Sequence, residues 1–165
     1  MTRIGLLSDT HSYMDAGILK HLEQVDEIWH AGDVGTMEVI DQLAGLGKPL
    51  RGVYGNIDGQ DIRKVFPETI RFYCEGVEVL MTHIGGYPGK YHPNIRPELL
   101  RRPPKLFICG HSHILKVMFD QKLQCLHLNP GAAGKSGWHQ VRTLLRFSID
   151  ENEIKDLEVV EMPLR

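Results

Sequence analysis

The chain has 165 residues, 42% hydrophobic and 24% charged, which are the proportions of an ordinary globular domain and exclude a disordered or fibrous one. Its formal net charge of -2 at pH 7 excludes a general electrostatic attraction to nucleic acid or to anionic membranes, so phosphate recognition has to be local. Cys74, Cys109 and Cys125 cannot all pair and show no CxxC spacing, which predicts small buried thiols in a reducing compartment. No leader pattern and no bilayer-length apolar run occur, so a cytoplasmic location without membrane contact is expected.

The first half alternates strand and helix. Arg3 to Ser8 reads as a buried strand, and Ile18, Leu19, Leu22 and Val25 then recur at helical spacing. Glu27 to Ala31 predicts a second strand, Met37, Ile40, Leu43 and Ala44 one face of a second helix, and Leu50 to Tyr54 a third strand. Such a βαβαβ order implies a parallel sheet with covering helices. Thr69 to Cys74 and Val77 to Thr82 flank Glu75-Gly76, a hairpin signal. Segments 105–109, 114–119, 124–128, 141–149 and 154–161 are further strand candidates. The number of strands outgrows one small sheet. The expected fold is α/β, with two packed mixed β-sheets (a β-sandwich) flanked by α-helices, in one domain spanning 1–165.

Polar residues gather at the carboxyl ends of the predicted strands: Asp9-Thr10-His11, Gly32-Asp33, Gly55-Asn56, His83, and Gly110-His111-Ser112-His113. In open α/β sheets the crevice outside those ends is where ligands bind. Asp9 and Asp33 offer anionic oxygens, Asn56 a carbonyl oxygen, and His11, His83, His111 and His113 imidazole nitrogens. Mixed oxygen and nitrogen donors without thiolate suit Mn²⁺, Fe²⁺, Ni²⁺, Co²⁺ or Zn²⁺ and disfavour Ca²⁺. Seven donors exceed what one ion with an open position needs. They suit two ions about 3.5–4 Å apart, bridged by one carboxylate and a hydroxide.

In the ordered series D-x-H, G-D, G-N, H, G-H-x-H, the sequence resembles the calcineurin-like metallophosphoesterases, in particular their small single-domain bacterial and archaeal phosphodiesterases. The likeness runs from Ser8 to about Gly131, including the Asn129-Pro-Gly131 turn. It implies that Asp9, His11, Asp33 and His113 hold one metal and that a bridging Asp33 with Asn56, His83 and His111 holds the other. Asp33, Asn56 and His83 are assigned the catalytic role. The resemblance also implies two divalent ions, Mn²⁺ first among them, and a small phosphoester as substrate, with a phosphodiester favoured.

Two positions depart from the pattern. Larger members follow the G-N with a histidine that protonates the leaving group; here Ile57 and then Asp58 stand there. His83 is followed by Ile84-Gly85-Gly86 where many relatives have H-G-H. Asp58 is a candidate for fixing imidazole tautomers. His92, in the Gly- and Pro-rich loop 85–97, is a candidate for touching substrate. Tyr87 and Tyr91 are candidates for lining the cleft or for a homo-oligomer contact. His21, His30, His127 and His139 match no motif position, and His30 and His127 are expected near the core. The alternative function is a non-catalytic scaffold of the same fold, like the small retromer subunit, against which the complete donor set argues.

Overall fold

The apolar run after Met1 forms β1 (Thr2–Leu7), and in the computed structural model, which describes residues 1–164, both of its faces are covered. Ile4 and Leu6 enter one buried cluster with Trp29 and Phe147, while Leu7 joins another with Ile18, Leu22 and Val25. A strand apolar on both sides needs a layer on each. The helices supply one of them. α1 (Ala16–Leu22) starts at Asp15, whose carboxylate accepts the Ile18 N–H at 2.9 Å. It packs so closely on β1 that a Cβ on Gly5 would lie 2.5 Å from Leu22 Cδ2. β2 (Glu27–His30), α2 (Met37–Ala44), β3 (Leu50–Gly52) and the short α3 (Gln60–Arg63) complete the alternating half.

The second half begins with the hairpin β4 (Thr69–Cys74) and β5 (Val77–Thr82). A small ribbon, β6 (Gly86–Tyr87) and β7 (Lys90–Tyr91), leads to α4 (Arg96–Arg101). Then come β8 (Leu106–Ile108), β9 (Leu115–Asp120), β10 (Cys125–Pro130), β11 (Arg142–Asp150) and β12 (Glu153–Met162).

These strands form two five-stranded mixed sheets, ordered β12-β11-β1-β2-β3 and β4-β5-β8-β10-β9. Each has a parallel trio, β1-β2-β3 in one and β5-β8-β10 in the other, with antiparallel strands outside it. The sheets share an apolar interface in which Trp29 meets Phe72 and Phe147 edge-on, with ring centroids 5.0 and 5.9 Å apart. The expected two-sheet α/β architecture is therefore the one observed. The ribbon β6–β7 and helix α3 were not expected, because two- and four-residue elements are too short to carry a periodic signal. All three cysteines are buried and unpaired, and no helix among the described residues is long and apolar enough to cross a membrane.

Candidate metal centre

Parallel strands end on the same side, so the turns after β1, β2, β3, β5 and β8 open onto one crevice. All seven side chains singled out from the sequence lie there. Each of the two aspartates commits one oxygen to the scaffold and leaves the other facing inward. Asp9 Oδ2 accepts from Ser8 Oγ at 2.6 Å and from the His111 N–H at 3.1 Å. Asp33 Oδ1 accepts the Ile57 N–H at 3.1 Å.

The inward oxygens organise the histidines. Asp33 Oδ2 lies 3.3 Å from His11 Nε2 and 3.2 Å from His83 Nε2, between two groups of donors. Asp9 Oδ1 lies 3.1 Å from His113 Nε2, 3.7 Å from His11 Nε2 and 3.8 Å from His83 Nε2. His111 Nδ1 faces Asn56 Oδ1 at 3.1 Å. Donor atoms of Asp9, His11 and His113 all lie within 4.8 Å of one another, as do those of Asp33, His83 and His111. Around one ion with bonds of about 2.1 Å, neighbouring donors are roughly 3.0–3.5 Å apart.

A metal fits these residues on chemistry as well as spacing. Asp9 Oδ1, His11 Nε2 and His83 Nε2 are buried atoms without a hydrogen-bond partner among the described residues. Such atoms are costly unless something satisfies their lone pairs, and a divalent cation does. The protein field agrees. Burial alone would raise the Asp9 and Asp33 carboxyls, but the adjacent imidazoles, His11 and His113 for Asp9, His11 and His83 for Asp33, outweigh it and hold both well below the usual carboxylate range. Asp33 and then Asp9 push the His11 imidazole up to about 9. Burial lowers the affinity of His83 for a proton, yet Asp33 and then Asp9 raise it overall. His111 is lowered, by burial first and by His83 next. Protons and a cation compete for the same lone pairs here.

The backbone bends unusually to deliver these groups. Asp9, His11, Asp33, His111 and His113 have φ values of 55°, 46°, 56°, 73° and 63°, the left-handed region that only a few per cent of non-glycine residues enter, Asn, Asp and His most often. Clusters of such residues mark functional sites. Two glycines make room for the turns. Gly32 (φ 102°) would put a Cβ 2.5 Å from His83 Nδ1, and a Cβ on Gly55 would overlap Asp33 Oδ1.

Asp58 does not touch an imidazole, contrary to its expected role. Its buried carboxylate accepts the N–H groups of Val34 at 3.1 Å, Gly35 at 2.8 Å and Gly55 at 2.8 Å, tying the turn that carries Asp33 to the turn that carries Asn56. Asn129, from the N-P-G turn, donates to the Gly110 carbonyl at 3.0 Å and to Ser112 Oγ at 3.1 Å, pinning the G-H-S-H turn. His30 is buried as expected and bonds Thr10 Oγ1 at 3.0 Å behind the site. Two contributors carried no sequence signal. Ser8 precedes the D-x-H triplet, and His139 packs edge-on against His113 with centroids 5.4 Å apart. Ile57 lies exposed beside Asn56.

Residues 2–152 match the calcineurin-like phosphoesterase superfamily domain. The chain belongs to that superfamily. This calcineurin-like phosphoesterase is similar to a phosphodiesterase of Methanocaldococcus jannaschii, 26% identical over 145 residues that cover 78% of this chain and 82% of the relative. It is also similar to a Mycoplasma pneumoniae protein named "Probable metallophosphoesterase", 28% identical over 167 residues covering 95% and 96% of the two chains. Among solved structures, the zinc complex of Vps29 from Entamoeba histolytica superposes with a TM-score of 0.74 at 16% identity, covering 99% of each chain.

Proposed function

We propose that this phosphoesterase is a binuclear metal-dependent phosphodiesterase acting on a small substrate, with the whole of 1–165 as its catalytic domain. The carrying observation is the position of Asp33 Oδ2, 3.3 Å from His11 and 3.2 Å from His83, where one carboxylate oxygen faces both donor groups. Asp9, His11, Asp33 and His113 would hold one ion, and Asp33, Asn56, His83 and His111 the other. When bound, such a pair supplies a water nucleophile of lowered pKa and neutralises the phosphoryl oxygens. Mn²⁺ is our first choice of ion, with Ni²⁺, Fe²⁺, Co²⁺ and Zn²⁺ compatible with the same donors.

The chain's own part is orientation and charge. Asp9 and Asp33 stay ionised and aim one oxygen each. His83 donates Nδ1–H to the Ala31 carbonyl at 2.7 Å, which leaves Nε2 free to coordinate. Asp58 and Asn129 hold the turns in register. Three unpaired buried thiols suit a reducing compartment, and we assign the activity to the cytoplasm.

The scaffold reading draws on the Vps29 likeness, which at 16% identity bears on fold alone. It gives no reason for two buried, ionised carboxylates among four histidines. Metal titration by calorimetry with elemental analysis decides the matter, alongside turnover of an aryl phosphodiester. Two ions per chain with turnover is the expected result. Stoichiometric metal without turnover on any phosphoester would favour the scaffold.

A further inference from the structure

Two cavities open on either side of the Asn56, His83 and His111 group, with Ile84 lining both. Their chemistry differs. The cavity of about 390 Å³ beside His111 is walled by Ile84, Tyr87, His92 and Ile114. Its polar floor is already satisfied by the protein. His127 Nδ1 donates to the Phe107 carbonyl at 3.2 Å, and Asn129 donates to Gly110 and Ser112 while accepting the Gly131 N–H at 3.0 Å. Lys116 Nζ lies 4.4 Å over the centroid of the Tyr87 ring and holds that ring at the mouth. A cavity whose floor is already hydrogen-bonded and whose walls are mainly rings and aliphatic chains takes a flat apolar group.

The cavity of about 240 Å³ beside Asn56 and His83 is polar. Arg63 stacks on Tyr54 with its guanidinium carbon 4.3 Å from the ring centroid, and its Nε donates to the Asp58 carbonyl at 2.7 Å. Its terminal nitrogens, and the side chains of Glu68 and Asn94, make no hydrogen bond among the described residues. A guanidinium, a carboxylate and an amide in one small cavity offer both donors and acceptors, which is what hydroxyl groups need.

We infer that the substrate is an unsymmetrical phosphodiester, with a flat ring-bearing arm in the cavity beside His111 and a hydroxylated arm beside Arg63 and Glu68. The inference rests on the phosphodiesterase reading, because it places phosphorus at the metal centre between the two cavities. Tyr87, Lys116 and Ile114 then select the ring, while Arg63, Glu68 and Asn94 select the hydroxyls. Arg63, Glu68 and Asn94 are exposed, so an arm that carries hydroxyls gains hydrogen bonds there that an arm lacking them forgoes.

The test uses probes that cannot be hydrolysed at the arm of interest: methylphosphonate, phenylphosphonate and 2,3-dihydroxypropylphosphonate. Their dissociation constants are measured by calorimetry on the metal-loaded protein and on Tyr87→Ala, Tyr87→Phe and Arg63→Ala. Tyr87 and Arg63 are both exposed, and thermal melts check that each variant folds. Tyr87→Ala should weaken phenylphosphonate about tenfold, or 1.4 kcal/mol, with the other two probes unmoved. Tyr87→Phe should restore the ring preference. Arg63→Ala should weaken only the dihydroxypropyl probe. Equal effects of both variants on all probes, or none on any, overturn the assignment of arms. Failure of all three probes, methylphosphonate included, to bind the loaded protein would instead remove the phosphodiesterase reading beneath it.

Discussion

His83 Nδ1 donates to the Ala31 carbonyl at 2.7 Å, so the strand end that precedes Asp33 sets the tautomer of the imidazole that faces Asp33. With Nδ1 committed to that carbonyl, Nε2 is the nitrogen left to face Asp33 Oδ2, 3.2 Å away, where a cation would displace its proton. The backbone of one turn thereby prepares a ligand that comes from the other sheet.

If Asp33 serves both ions, Asp33→Asn should lower activity more than Asn56→Ala does. The loss should exceed the roughly 10–100-fold typical of deleting an outer partner of a metal ligand. Elemental analysis should find both ions depleted in the Asp33 variant and only one in the Asn56 variant. Retention of two ions and near-parental rates by Asp33→Asn would remove the bridging assignment.

Exhaustive chelation should abolish turnover, and Mn²⁺ should restore it. The same ion should raise the melting temperature, since a ligand that binds only the folded chain stabilises it. Turnover persisting at verified zero metal content would contradict the mechanism.

The pH dependence of metal-free stability has two limbs. Burial depresses the His30 and His127 imidazoles from 6.5 to about 4. Their contribution is complete above the unfolded value and is lost as pH falls from about 6.5 toward 4, because the unfolded chain takes up protons that the folded one refuses. The difference is worth roughly 3 kcal/mol per histidine. His11 acts oppositely. Raised by Asp33 and Asp9 to about 9, it stabilises fully below 6.5, and that contribution is lost as pH rises through 9. Denaturant titrations should therefore place maximal metal-free stability near pH 6.5, and His127→Phe should flatten the acid limb. An acid limb unchanged in that variant would rule out His127 as its source.

Proton donation to a leaving group contributes about 10²–10⁴-fold, most for strongly basic alkoxides. Ile57 cannot donate, so kcat/KM should fall steeply as leaving-group pKa rises across a series of aryl and alkyl diesters. Ile57→His should flatten that slope by helping the poor leaving groups. His92 is the rival donor. Its Nδ1 accepts the Asn94 N–H at 3.1 Å, which puts the proton of the neutral ring on Nε2. A shallow slope in the parent that steepens in His92→Ala would assign the role to His92.

The two-sheet fold was legible because β1, β2, β3, β5 and β8 run into polar turns, and the seven donors all stand at those ends. Asp58 was misread, since its partners are backbone amides, which no residue pattern displays. Ser8 and His139 were given no role because a serine before a motif and a loop histidine are commonplace. The two cavities depend on side chains from α3, β6 and β9 that meet only once the sheets are packed.

Five of the seven candidate ligands hold left-handed backbone, and each such residue costs on the order of 1–3 kcal/mol that the surroundings must offset. With Asp9 Oδ1, His11 Nε2 and His83 Nε2 buried and without hydrogen-bond partners among the described residues, the centre holds unrelieved strain until a cation occupies it. Its turns should be the first to open in the metal-free chain, and opened segments are what proteases cut. The amount of this protein in a cell would then follow the supply of its metal, with degradation acting as the gauge.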